Sequence, residues 1–270
     1  MQGLQKSIGL LCAGTQGLGT TKNDTLQADI SFQGYNQDPS DPNRDPTIKA
    51  KTQYRTYFAD NNSTGIVNNP IILLDGFDPG DKRKIEDCDC ENDADCISGN
   101  MDSDNNFDSI NYDSIVDLQD FTLSNGDDGN ALETLRTEGF DVIIVNHPTY
   151  KTDDLNTPIV DPEEVTIDGG AYYIESNAFA LVKLLQKTKA LLVDNGSDAQ
   201  IKLIGPSMGG QIAKYALSYM EKQEELTGDE EWDHNVSHYV SFDSLHLGAN
   251  IPLGDQALLY LLSGESAAAK

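Results

Sequence analysis

Continuous apolar runs bounded by turn-forming residues recur along the chain and predict buried β-strands. Runs of this kind are typical of strands in a parallel sheet that is covered on both faces. Two earlier segments, in which β-forming residues alternate or cluster, predict further strands. The predicted strands cover residues 29–35, 50–58, 69–74, 140–146, 201–204 and 236–242.

Helical periodicity fills the spaces between the later strands. Apolar residues recur at helical spacing from Ala178 to Leu192, and Asn195-Gly196 ends that segment. A second amphipathic segment runs from Ile212 to Met220. Alternating strands and helices predict the α/β class, with a mostly parallel sheet and helices on both faces. Ligands of such folds bind beyond the carboxyl ends of the strands.

A glycine-rich turn joins one predicted strand to the second predicted helix. Residues 205–210 read Gly-Pro-Ser-Met-Gly-Gly, with Ser207 at the centre. The G-x-S-x-G pattern between a strand and a helix is typical of a nucleophile elbow, which projects a serine out of the sheet. The glycines let neighbouring segments approach closely, which a serine that only caps a helix would not need. We therefore predict that Ser207 is a nucleophile.

The composition restricts the classes of partner. A chain of 270 residues that is 38% hydrophobic can bury one large core, so a single α/β domain is expected. It carries 45 acidic and 18 basic residues, for a net charge of -27. This charge argues against nucleic acid and anionic membrane surfaces as partners. No run approaches the roughly 20 apolar residues of a membrane span.

An acidic insertion, residues 81–135, interrupts the alternation of strands and helices. Between Ile85 and Leu135 there is no lysine or arginine. Asp102 and Asp104 have the alternate spacing that begins a calcium loop, but Phe107 stands where an EF-hand requires glycine. A looser Ca²⁺ site and a merely solvated acidic loop both stay open. No other cofactor is expected.

The cysteines and the amino-terminal residues bear on location. Cys88, Cys90 and Cys96 lie in the acidic insertion, without the number and spacing of a closed zinc site. In an exported protein, Cys96 would form a disulfide with Cys88 or Cys90. Residues 1–28 are interpreted as an N-terminal extension, either the remnant of a signal peptide or a disordered end. We expect a secreted or cell-surface bacterial protein.

With the elbow, the turn at residues 73–77 and the loop at 244–249 together, the chain resembles the α/β-hydrolase superfamily, and within it bacterial lipases and esterases. The resemblance covers residues 29 to about 262. It implies an α/β-hydrolase domain over residues 29–270 that cleaves small-molecule, lipid or polymer esters through an acyl-enzyme on Ser207.

The resemblance also implies an oxyanion hole, the pair of main-chain N–H groups that stabilises the negative charge of the reacting carbonyl oxygen. On this chain the two donors would be the N–H groups of Phe77 and Met208. The family's usual His-Gly pair after the third strand is replaced here by Asp75-Gly76. Because the donors belong to the main chain, this replacement does not remove them.

The general base and the acid are not fixed by the resemblance. Family members carry the serine, the acid and the histidine in that order, with the histidine after the last strand. Two more strand–helix units do not fit into residues 246–270. We therefore expect the final strands to lie outside this chain or to come from a second chain that completes the sheet. The alternative is a triad of Ser207, Asp243 and His246, although an acid and a base three residues apart rarely align.

Two function classes follow. The first is a serine carboxylic ester hydrolase, for which His246 is either the base or a hydrogen-bonded loop residue. The second is a catalytically impaired hydrolase-fold scaffold, with calcium as its candidate ligand. Turnover of a simple ester separates the two classes.

Overall fold

The computed structural model describes residues 21–41, 43–77, 121–122, 128–129, 131–158 and 162–248. The strands are β1 (Thr21–Gln27), β2 (Phe32–Gln33), β3 (Thr47–Ile48), β4 (Lys51–Tyr57), β5 (Pro70–Leu73), β6 (Phe121–Thr122), β7 (Asp128–Gly129), β8 (Asp141–Asn146), β9 (Thr149–Asp153), β10 (Glu164–Asp168), β11 (Ile201–Pro206) and β12 (Val236–Phe242). The α-helices are α1 (Ala131–Thr137), α2 (Ile174–Asp194) and α3 (Ser207–Thr227), and short 3-10 helices cover Gly169–Ala171 and Glu230–Trp232.

The central sheet has six strands in the order β1-β4-β8-β5-β11-β12. Strands β8, β5, β11 and β12 are parallel, whereas β4 is antiparallel to both of its neighbours. Counted along the chain, the strands of this sheet stand in the order 1-2-4-3-5-6, with the second one reversed. The sheet is thus mostly parallel, which is the α/β architecture that the sequence predicts.

Helices cover both faces of the sheet. Ile72, Ile143 and Leu203 point to one face, in the core cluster that α2 and α3 complete. The alternate residues of β5 and β8 point to the other face, where Leu132 and Leu135 of α1 pack against them. Residues on neighbouring strands therefore alternate between two apolar layers, and this is why the central strands appear as continuous apolar runs in the sequence.

The structure departs from the predicted elements at several places. The strand predicted at 29–35 is limited to β2, and the short strands β3, β6 and β7 were not predicted. Strand β1 lies inside residues 1–28, which were interpreted as an extension, and it pairs along its length with β4. Its sequence is mostly polar, so only the main-chain pairing reveals it. The hairpin of β9 and β10 was not predicted either. Finally, α1 begins within the acidic insertion, because Leu132 and Leu135 give it an apolar face.

Strand β12 is the last strand of the described sheet and pairs there only with β11. Its side chains are largely accessible, and Val240 and Phe242 are 48% and 41% exposed. Within the described parts of the chain, no helix is long and apolar enough to cross a bilayer. The cysteines and the candidate calcium ligands Asp102 and Asp104 lie outside the described residues.

Candidate active site

The elbow predicted at Ser207 forms at the carboxyl end of β11. Ser207 has a φ of 47°, in the left-handed region that non-glycine residues seldom adopt. Ser207 is also exposed to solvent. The residue is also the first of α3, whose first turn contains no acidic side chain. The partial positive charge of a helix N-terminus therefore lies next to the serine and favours negative charge there.

Two glycines of the motif are required by close main-chain contacts. A Cβ on Gly205 would lie 2.6 Å from the carbonyl carbon and oxygen of Gly209 and from the nitrogen of Gly210. A Cβ on Gly209 would overlap the carbonyl oxygen of Asp75. Both obstacles are main-chain atoms, which cannot move aside as a side chain does. The glycine spacing thus lets β11, α3 and the end of β5 meet at Ser207.

The loop after β5 borders the serine. An added Cβ on Gly76 would lie 3.6 Å from the Cβ of Ser207, which is an ordinary van der Waals separation. Asp75, just before it, is 4% exposed, and its Oδ1 accepts a hydrogen bond of 2.7 Å from the Gly76 N–H. Phe77 is 60% exposed. The segments that carry the predicted oxyanion donors, at Phe77 and Met208, therefore both adjoin Ser207.

Met208 occupies the second position of α3, and its side chain is buried. The first four N–H groups of an α-helix have no partner within the helix. The Met208 N–H is one of these, directly after the serine. A reacting oxygen beside Ser207 can be bound by such a group, which is how main-chain donors stabilise oxyanions.

His246 is held by neighbours on β12. Its Nε2 lies 2.7 Å from Ser241 Oγ and 3.4 Å from Tyr239 OH, and the Tyr239 hydroxyl donates to the Gly210 carbonyl. In the described part of the chain, no hydrogen bond joins His246 to Ser207 or to Asp243. Asp243 is exposed, with a φ of 53°. His246 is thus linked through Tyr239 to Gly210 of α3, and the hydrogen bonds of a triad are not formed among the described residues.

In the part of the chain that the structure describes, the other histidines form no hydrogen bond with Ser207 either. His147 follows β8 and is 1% exposed, and burial lowers its pKa to about 4. Its Nδ1 lies 3.5 Å from Thr52 Oγ1. His234 and His238 lie before and early in β12, at the amino end of the strand. Because His147 is buried and its low pKa makes it a weak base, it is poorly suited to take a proton from the exposed Ser207.

The sequence predicted the elbow at Ser207 but not the contacts around it. Asp75 was noted only as a replacement in the His-Gly pair, and neither Tyr239 nor Ser241 was singled out. The signal for Asp75 was a charged residue directly after the apolar run that ends at Leu74. Among the described residues, no group of His, Cys, Asp and Glu side chains is arranged to hold a metal ion. The calcium hypothesis concerns residues outside that set.

Comparisons with known proteins support no finer assignment. No protein-family model matches the chain, and no curated protein is significantly similar to it in sequence. The solved structures that resemble it include a peroxisomal α/β-hydrolase from Saccharomyces cerevisiae, with 10% identity, a TM-score of 0.41, and coverage of 91% of this chain and 53% of that one. A thermostable carboxyl esterase from Bacillus coagulans has 11% identity, a TM-score of 0.33, and coverage of 89% and 51%.

A rice cell wall degrading esterase from Xanthomonas oryzae is similar over 97% of this chain and 51% of its own, with 12% identity and a TM-score of 0.37. The chain therefore spans about half the length of these three structures. At such TM-scores the superpositions carry no argument, and the fold rests on the strand order of the chain itself.

Proposed function

We propose that the protein hydrolyses carboxylic esters through an acyl-enzyme on Ser207. The observation that carries the proposal is the left-handed backbone of Ser207, at the junction of β11 and α3, beside the end of β5. A strained, exposed serine with neighbouring glycines that no larger residue can replace is expected where the serine has a chemical task.

The reaction has two halves. The Oγ of Ser207 attacks the ester carbonyl carbon and loses its proton to a base, while the carbonyl oxygen becomes negative. The N–H groups of Phe77 and Met208 and the N-terminus of α3 stabilise that oxygen. The alcohol leaves with a proton, and a water molecule then cleaves the acyl group from Ser207, releasing the acid and restoring the serine.

Hydrolysis of p-nitrophenyl esters of increasing acyl length tests the proposal. Ser207→Ala should lower kcat by several powers of ten and leave the fold intact, since the serine is exposed. Ser237→Ala is the matched control, because Ser237 is an exposed serine near the amino end of β12. Its kcat should equal that of the wild type. A Ser207→Ala variant that keeps more than about a tenth of the wild-type kcat would exclude the serine mechanism.

One observation favours a second candidate, a hydrolase-fold protein that binds esters without turning them over. His246 is hydrogen-bonded to Ser241, and among the described residues no histidine is hydrogen-bonded to Ser207. We predict that His246 is not the principal base. A general base contributes roughly a hundred- to ten-thousand-fold to the rate, so His246→Ala decides this point. A loss of that size would establish His246 as the base, whereas an inactive wild type would favour the scaffold.

A further inference from the structure

The carboxylate of Asp75 is buried beside the proposed nucleophile, and the reaction steps above give it no role. Asp75 follows β5 at the carboxyl edge of the sheet and is 4% exposed. The chain before it is fixed to β11, because the Leu74 N–H donates to the Ile204 carbonyl at 2.9 Å. Its own carbonyl oxygen packs against Gly209 in the first turn of α3. The main chain of Asp75 is thus held on two sides.

The side chain of Asp75 controls the next peptide. Its Oδ1 accepts the Gly76 N–H at 2.7 Å, so that amide is engaged within the protein. The following amide, that of Phe77, makes no hydrogen bond among the described residues, and Phe77 is 60% exposed. Gly76 itself borders Ser207. The hydrogen bond therefore fixes the peptide that precedes the Phe77 N–H, a group without a partner among the described residues, in the loop that borders Ser207.

We infer that Asp75 is a positioning residue, which holds the Gly76 peptide so that the Phe77 N–H can bind the oxyanion. This inference rests on the proposed function. A hydrogen bond to an ionised acceptor is roughly twice as strong as a neutral one, so a carboxylate suits this task. What the loop requires, however, is an acceptor oxygen at that position. The position of the oxygen, and not its charge, should therefore determine the rate.

Asp75→Ala, Asp75→Asn and Asp75→Glu separate these properties. Removal of one oxyanion donor typically lowers kcat by about a hundred- to a thousandfold, and a misplaced donor should cost about ten- to a hundredfold. Asp75→Ala should show that loss in kcat with KM nearly unchanged, because the donor acts in the transition state. Asp75→Asn keeps the acceptor and should restore kcat to within about threefold.

Asp141→Asn is the matched control. Asp141 is also a buried aspartate that accepts hydrogen bonds from main-chain N–H groups. It is the first residue of β8, however, so it lies at the amino end of its strand, whereas Asp75 lies at the carboxyl end of β5. Its variant should be less stable and keep the wild-type kcat. A purely structural role for Asp75 would give the same result as this control. If Asp75→Ala does not fold, Asp75→Glu replaces it, since the longer side chain keeps the charge and displaces the oxygen.

The outcomes are distinct. Impaired Ala or Glu variants with a restored Asn variant support the positioning role. An Asp75→Ala kcat within about twofold of wild type, or equal impairment of Asn and Glu, overturns it. If the Asp75 variants resemble wild type while Ser207→Ala is inactive, only this inference fails. If Ser207→Ala remains active, the proposed function itself fails.

Discussion

Replacing Gly205 by alanine tests the close approach that forms the elbow. The added Cβ would lie 2.6 Å from three main-chain atoms of α3, whereas ordinary contact begins near 3.4 Å. Strand β11 and α3 would have to separate by the difference, 3.4 − 2.6, or about 0.8 Å. Overpacking a core costs about 1–3 kcal/mol when side chains can adjust. Because only main-chain atoms can adjust here, we expect the free energy of unfolding to fall by about 3 kcal/mol.

The activity should fall as well, because Ser207 lies at the junction of β11 and α3, the two elements that would separate. A misplacement near 1 Å can lower the rate about a hundredfold. Urea unfolding followed by circular dichroism and p-nitrophenyl ester hydrolysis measure the two effects. Gly196→Ala is the control. Its φ is 69° and no atom lies within 4 Å of the added Cβ. Left-handed strain alone should cost it about 1 kcal/mol, with kcat unchanged. If Gly205→Ala is no less stable than this control, the steric argument is wrong.

Three further predictions concern charge and burial. Burial lowers the pKa of His147 to about 4, so as the pH falls the unfolded chain binds a proton at this residue before the folded chain does. The contribution of a neutral His147 to the free energy of unfolding is therefore complete above about pH 6.5 and is lost as the pH falls toward 4. In urea unfolding, His147→Gln should remove up to about 3 kcal/mol of this pH dependence, and equal profiles would contradict the burial argument. Asp141→Ala should lower the free energy of unfolding by about 3 kcal/mol in the same assay, because the Asp141 carboxylate accepts hydrogen bonds from the N–H groups of Ala59, Asn68 and Asn69. A loss below about 1 kcal/mol would contradict this account. The melting temperature should rise with NaCl because of the net charge of -27, and further with Ca²⁺ at low concentration; identical effects of Ca²⁺ and Mg²⁺ would exclude the calcium site.

The sequence predicts the centre of the fold because its signals are local. The apolar runs of β5 and β8 are continuous, and the motif at Ser207 combines a strand, a turn and a helix within residues 201–227. Strand β1 could not be predicted, because Thr-Lys-Asn-Asp-Thr-Leu-Gln has no apolar period and is held by main-chain pairing with β4. The same applies to the polar hairpin of β9 and β10.

The features of the candidate site also differ in whether the sequence predicts them. The conformation of Ser207 and the need for Gly205 and Gly209 follow from the motif, because the glycine spacing allows the turn. The hydrogen-bond partners of His246 do not follow from the motif. They depend on the alternation of Tyr239 and Ser241 along β12 and on the path of the loop that returns to that strand. Contacts of this kind are set by the tertiary structure.

The most direct test of the central claim is covalent labelling with a fluorophosphonate, with the modified residue identified by peptide mass spectrometry. A serine activated by the elbow attacks the phosphorus and retains the phosphonyl group, so we predict one label per chain, on Ser207. Ser207→Ala should not be labelled, and Ser237→Ala should be labelled as the wild type is. Labelling of another serine, or a folded protein that the reagent does not modify at Ser207, would contradict the assignment of Ser207 as the nucleophile.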